Sequence, residues 1–148
     1  QGDDERSRLL DSFKADIASV LFATDSFWEG VDAPGDTLKL VIITKLPFRV
    51  PTDPVQMARA EAIERRGGNS FMDLSLPEAV IRFKQGFGRL IRHSEDRGAV
   101  AVLDVRMLKK RYGELFISSL PRSSRSFKTL AGIADDIRAF LHSSSQKS

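Results

Sequence analysis

The sequence has 148 residues, 41% of them hydrophobic, and a formal net charge of +3. It contains no cysteine and only two histidines, His93 and His142, which excludes disulfides, thiolate metal sites and iron–sulfur ligation within this stretch and leaves no histidine-rich zinc site. No apolar run approaches the roughly 18 residues of a membrane span and no signal peptide is recognisable, so a soluble, cytoplasmic protein is expected.

A chain this long fits one compact domain of roughly 100–200 residues. The opening "QGDDERSRLLDSF" enters a helix almost at once and has no methionine, so the chain is read as part of something longer. Asp3 or Asp4 is expected to cap that helix, whose apolar side is Leu9, Leu10 and Phe13. Three short runs rich in strand formers follow, "IASVLFAT" (17–24), "LKLVIITKL" (38–46) and "GAVAVLDV" (98–105). Their nearly continuous apolar character fits strands covered on both faces, as in a parallel sheet. Between the second and third runs lie two helices. Asp53, Pro54 and Gln56 supply a cap, a first-turn proline and a capping-box partner for one, which should stop at Gly67 and Gly68. Ser75 and Glu78 read as a second capping box, opening a helix to about Arg92. Leu130, Ile133, Ile137, Phe140 and Leu141 mark a last amphipathic helix, and "HSSSQKS" (142–148) reads as a flexible polar tail. Strands alternating with helices indicate an α/β fold.

Charge is unevenly spread. Nine acids between Gln1 and Asp36 face Arg6, Arg8 and Lys14, whereas nine Lys and Arg between Arg82 and Arg111 face Glu95, Asp96 and Asp104. A basic second half suits phosphate-bearing partners, nucleotide or nucleic acid, although an ordinary solvated surface is the simpler reading of charge alone. On a helical wheel, Val80, Phe83, Phe87, Leu90 and Ile91 gather on one side, and Gln85, Arg89 and Arg92 on the other. Gly88 lies beside the second set and Gly86 between the faces. Each interior glycine costs a helix about 0.8–1 kcal/mol relative to alanine, so either close packing or an approaching ligand is expected to compensate. Two guanidiniums aimed together suit a triphosphate, since each offers a planar fork of donors and a permanent charge. A solvated arginine face with packing glycines fits the spacing equally well.

The stretch "ATDSFWEGVDAPGDTLKL" follows the first predicted strand, so its beginning should form a loop at a carboxyl end, where open α/β sheets bind ligands. Thr24 and Ser26 offer hydroxyls to phosphate oxygens, Asp32 a carboxylate to a ribose or a metal-bound water, and Phe27 and Trp28 rings to a base. Turn roles for Thr24, Ser26 and Asp32 and a core role for Trp28 are the structural alternatives.

Taken together, these residues resemble the second RecA-like motor domain of a superfamily 2 helicase of the DinG and XPD type. "SFWEGVDAPG" is similar to motif V and "QGFGRLIR" to motif VI. "LPF" (46–48), "PTDP", "RYGELF" (111–116) and "SLP" (119–121) also read as DinG-like, and the resemblance extends from Gln1 to about Pro121. It implies a RecA-like, P-loop NTPase-type fold, a mostly parallel sheet flanked by helices, spanning residues 1–141. It also implies a DNA helicase, in repair or recombination, with ATP and Mg2+ bound between two motor domains. By position in the motifs, Arg92 corresponds to the arginine finger and Arg89 to a second phosphate contact. Gln85 orders the phosphates, Gly88 lies beside them, and Gly30 and Asp32 approach the nucleotide. Thr24, Ser26, Phe48 and Arg49 become candidates for the single-stranded or forked DNA track, and Glu29 couples that track to the ATP site.

The departures are as informative. The sequence has no G-x-x-x-x-G-K-[ST] phosphate loop and no acid-rich magnesium box. Both are expected in an N-terminal motor domain that this stretch does not contain, as is any iron–sulfur cluster. Motif IV and the first strand region are also absent, which would expose a sheet edge. The alternative reading is a non-enzymatic nucleic-acid-binding module with a motor fold. A self-contained enzyme is the weakest reading, because no candidate nucleophile with a base partner supports it; His93 could act as a base, but beside Arg92 in a polar turn it reads as a surface residue.

Overall fold

The computed structural model describes residues 2–24, 27, 37–50, 52–88, 98–121 and 123–143. Two compact units are present, one made of Gln1–Ile42, Gly86–Ala101 and Ser124–Ser148, the other of Ile43–Gln85 and Val102–Ser123.

In the first unit, α1 spans Gly2–Ala15. It starts earlier than expected, so Asp3 and Asp4 lie inside it and neither is the cap. The expected strand at 17–24 does not form. Asp16 instead builds a local turn: its Oδ1 accepts the Ala18 N–H at 2.9 Å, and its carbonyl accepts the Ser19 N–H at 3.0 Å and the Ser19 hydroxyl at 2.5 Å. Such side-chain bonds compete directly with a ladder. No strand pairs with the segment among the described residues, and Ile17 and Phe22 stay 82% and 92% exposed. The last helix, α6, forms over Leu130–Ser143 with its apolar stripe half-buried at Ile133, Ile137, Phe140 and Leu141. Just before and within it, Asp136 accepts from Ser126 Oγ and Lys128 Nζ, the lysine chiefly holding its carboxyl below the ordinary range.

Strands form in the two other expected places, β1 at Leu40–Ile43 and β2 at Ala99–Val102. The Ala99 N–H donates to Lys39 O and the Leu103 N–H to Ile43 O, both at 2.9 Å. The offset is the same at both points, so the strands run parallel. Helices connect them, as a parallel pair requires.

The second unit carries that connection. Helix α2, Pro54–Arg65, begins as expected: Asp53 Oδ1 accepts the Val55 N–H at 2.9 Å and Pro54 opens the first turn. Gln56 does not close a capping box, however. Its amide turns away to Glu78 Oε1 at 3.5 Å. The helix stops where glycine allows it: Gly67 takes φ +80°, its N–H reaches Glu64 O, and the Gly68 N–H reaches Ile63 O. This pair of bonds satisfies the last carbonyls in a Schellman arrangement.

Helix α3 covers Leu76–Gly88, but the helical path begins before it, in a π-helical turn at Phe71–Ser75. Ser75 is therefore inside the path and not its cap. Asn69 serves instead: its Oδ1 accepts the Met72 N–H at 3.0 Å while Asp73 Oδ2 accepts the Asn69 N–H at 2.9 Å. Pro77 explains the widened turn. It lacks an N–H and its ring would strike the carbonyl four residues back. A wider turn, in which the Leu76 N–H reaches back to Phe71 O, relieves that conflict. Two short helices follow β2, α4 at Arg106–Lys109 and α5 at Gly113–Ser119. Gly113 joins them because a Cβ there would overlap the Met107 carbonyl.

The core of this unit is Ile43, Leu46, Leu76, Ala79, Phe83, Met107 and Phe116. On α3 the covered positions run Leu76, Ala79, Phe83, Gly86 and Phe87, a helical spacing. Gly86 is thus buried with this face and does not lie between the faces.

Candidate functional site

The segment that leaves β1 is held by several backbone contacts around Leu46–Phe48. The Leu46 N–H donates to Asp104 Oδ2 at 2.8 Å, and Leu46 O accepts the Phe48 N–H at 2.8 Å across Pro47. Pro47 O accepts from Arg82 Nη1 at 3.2 Å, and Arg82 is itself paired with Glu78 at 3.2 Å. Phe48 lies half-buried among rings: Phe71 stacks on it at 5.7 Å, Tyr112 and Phe116 meet it edge-on at 5.7 and 5.8 Å, and the Arg106 guanidinium stands 5.3 Å from its centroid. These are favourable aromatic and cation–π geometries. The neighbours of Phe48 come from its own chain, and Arg49 is the exposed group that follows it.

Asp104, at the carboxyl end of β2, anchors this arrangement. Its side chain is only 7% exposed. It accepts from Arg106 Nη2 at 2.6 Å, from Arg106 Nε at 3.0 Å and from the Arg106 backbone N–H at 3.0 Å, in addition to Leu46. The Arg106 guanidinium, opposed by burial and helped by the two backbone N–H groups, holds the carboxyl down at about 2 against an ordinary 3.8. The same pairing raises Arg106 further above its usual range. Sequence reading did not assign these two residues. The Asp-x-Arg spacing after a strand, which permits an Asx-type turn, was a usable signal for half of the contact; the bond to Leu46, far along the chain, had none.

A carboxyl whose folded pKa is depressed contributes stabilisation that is complete above the unfolded value of 3.8 and is lost as pH falls towards about 2. Urea midpoints should therefore fall across that window, and Asp104→Asn should be less stable at neutral pH but with a shallower acid slope. Equal slopes for the two proteins would contradict the assignment.

The exposed face of α3 contains Ile81, Lys84, Gln85 and Gly88. A Cβ added at Gly88 would meet nothing within 4 Å among the described residues, so contacts there do not demand a glycine. In the first unit, Thr24 is exposed and its carbonyl accepts the Phe27 N–H at 3.0 Å. Phe27 is half-buried; its ring lies 4.9 Å from the Arg6 guanidinium and its carbonyl accepts from Arg6 Nη2 at 3.4 Å. Ser26, Trp28, Glu29, Gly30, Asp32, Arg89, Leu90, Ile91, Arg92 and His93 lie outside the described residues. Among the described residues no three His, Asp or Glu side chains are grouped to hold a metal, and no helix is long and apolar enough to cross a membrane.

Comparison with known proteins agrees with the family resemblance. Residues 1–123 match the helicase C-terminal domain family. The chain is 52% identical over 126 residues to the ATP-dependent DNA helicase YoaA of Haemophilus influenzae, covering 85% of this chain and 20% of that protein. It is 51% identical over 121 residues to the ATP-dependent helicase DinG of Mycobacterium tuberculosis, covering 82% and 18%. It is 45% identical over 122 residues to the 3'-5' exonuclease DinG of Bacillus subtilis, covering 82% and 13%. The chain thus spans about a fifth or less of the length of these relatives. Paired parallel strands joined by helices, and a family match across most of its length, make this chain a member of the helicase C-terminal domain family.

Proposed function

We propose that this chain is the second, RecA-like motor domain of an ATP-dependent DNA helicase of the DinG type, acting in repair or recombination. The observation that carries the reading is the family match over residues 1–123 together with relatives named as an ATP-dependent DNA helicase and an ATP-dependent helicase. In this proposal an N-terminal domain of the same protein brings the phosphate loop and the acids that hold Mg2+. An iron–sulfur cluster, if the protein has one, also belongs there. This domain closes over the nucleotide. Arg92 places its guanidinium on the γ-phosphate and Arg89 makes a second phosphate contact, both as permanent cations able to meet charge developing on the transferred group. Gln85 orders the phosphates, and an open Gly88 lets them come close to the helix backbone. Gly30 and Asp32 meet the nucleoside side, Asp32 at the ribose. Thr24, Ser26 and Arg49 face the DNA backbone, with Phe48 anchoring the segment that presents Arg49, and Glu29 links that contact to the ATP site.

The exposure of Gln85 and the open space at Gly88 support this reading, because no packing occupies either position among the described residues. The test is strand separation. The full-length protein should unwind a forked duplex only when ATP can be hydrolysed. Tight binding to the fork with no unwinding and no hydrolysis would favour the non-enzymatic binding module instead.

A further inference from the structure

Four exposed cations of the second unit are tied to one aromatic cluster. Arg49 follows Phe48 directly, while Lys109, Lys110 and Arg111 directly precede Tyr112, and the Phe48 and Tyr112 rings meet at 5.7 Å. Both flanking backbones are fixed. The Leu46–Phe48 side is held by Asp104 and Arg82, as described above. On the other side the Lys110 N–H donates to Arg106 O at 3.1 Å and the Gly113 N–H to Lys110 O at 2.9 Å. Arg106 touches both halves: its guanidinium lies over Phe48, and its carbonyl accepts from the run of lysines. The carboxylates Glu78 and Asp104 are each matched by an arginine, and Glu114 is the acid that follows Tyr112 closely in sequence, so the surplus charge here is positive.

We propose that Arg49, Lys109, Lys110 and Arg111 form one phosphate-contacting strip for single-stranded DNA, and that Arg106, clamped by Asp104, is the positioning residue that holds its two halves on the Phe48–Tyr112 pair. The inference rests on the helicase reading for the identity of the partner. Each cation that neutralises a phosphate releases condensed counterions, and a backbone already held in place lowers the ordering cost of bringing several cations to one strand. Arg106 acts through its fork and its stacking and needs no contact with DNA.

The experiment is fluorescence anisotropy of the full-length protein with a labelled oligo-dT across a salt series. Each single-strand phosphate contact contributes about 0.7 to the slope of log affinity against log salt. K109Q/K110Q/R111Q should lower that slope by about 2 and Arg49→Gln by about 0.7. Arg106→Gln should weaken binding severalfold, and adding Arg49→Gln to it should cost less than Arg49→Gln costs alone, since the two act as a unit. Arg106→Lys, which keeps the charge and the stacking stem, should recover part of the loss even if Arg106→Gln proves unstable. Wild-type slopes in both Arg49→Gln and the triple variant, full additivity of Arg49→Gln with Arg106→Gln, or wild-type binding by a folded Arg106→Gln, would overturn the proposal. A wild-type protein that binds no oligo-dT would overturn the helicase reading along with it; failure of the variants alone would overturn only the strip.

Discussion

Replacing Arg92 by alanine in the full-length protein should lower ATP turnover by about 10³–10⁵-fold, the range known for loss of an arginine finger, while ATP still binds. Phosphoryl transfer spreads charge over the equatorial oxygens of the γ-phosphate, and a preorganised guanidinium meets that charge more strongly in the transition state than in the ground state. Removing it should depress kcat far more than it raises KM, the signature of an interaction realised in the transition state. Arg92→Lys keeps the charge but loses the planar fork, so its turnover should fall between the two. Steady-state hydrolysis combined with equilibrium nucleotide binding checks this. A variant with normal turnover would remove Arg92 from the chemistry.

The second large effect concerns stability. Phe83→Ala should destabilise the domain by about 3–5 kcal/mol, the usual cost of emptying a buried phenylalanine site. Phe83 is fully buried on α3 and its ring meets Phe116 edge-on at 5.4 Å and 88°. Phe116 in turn contacts Phe48 and Tyr112, so the cavity would loosen the cluster beneath Arg49 as well. Domains typically have only about 5–15 kcal/mol of stability, so the loss is a large fraction of the whole. Urea unfolding measures it. Ile81→Ala, two residues earlier but 58% exposed, should cost far less, and equal costs at the two positions would contradict the packing described.

The two faces of α3 show which parts of the architecture local sequence encodes. Phe83 and Phe87 fall where helical periodicity puts them, and Gln85 is exposed as the wheel requires. The caps at Asp53 and the stop at Gly67 are equally local, since each depends on side-chain or backbone freedom within a few residues. The failures have physical causes of two kinds. Where two local signals compete, as at 17–24, an apolar run argued for a strand, yet the Asp16 turn prevailed. At Ser75 the capping pattern was real in composition but lay inside a path already started at Asn69 and widened before Pro77. Where the contact is long-range, as in Leu46 to Asp104 or Phe48 to Tyr112, no periodicity reports it. The family was legible as well: the resemblance quoted from "SFWEGVDAPG" and "QGFGRLIR" agrees with the family match over residues 1–123, while the chemistry assigned to those two stretches stands as a proposal.

The central claim is that the chemistry of this domain depends on a companion that delivers the triphosphate. Single-strand-stimulated ATP hydrolysis tests it most directly, compared between the full-length protein and the 148-residue chain alone. The full-length protein should hydrolyse ATP, and faster with DNA, while the isolated chain should show no turnover above buffer. Hydrolysis by the isolated chain at the full-length rate would contradict the account.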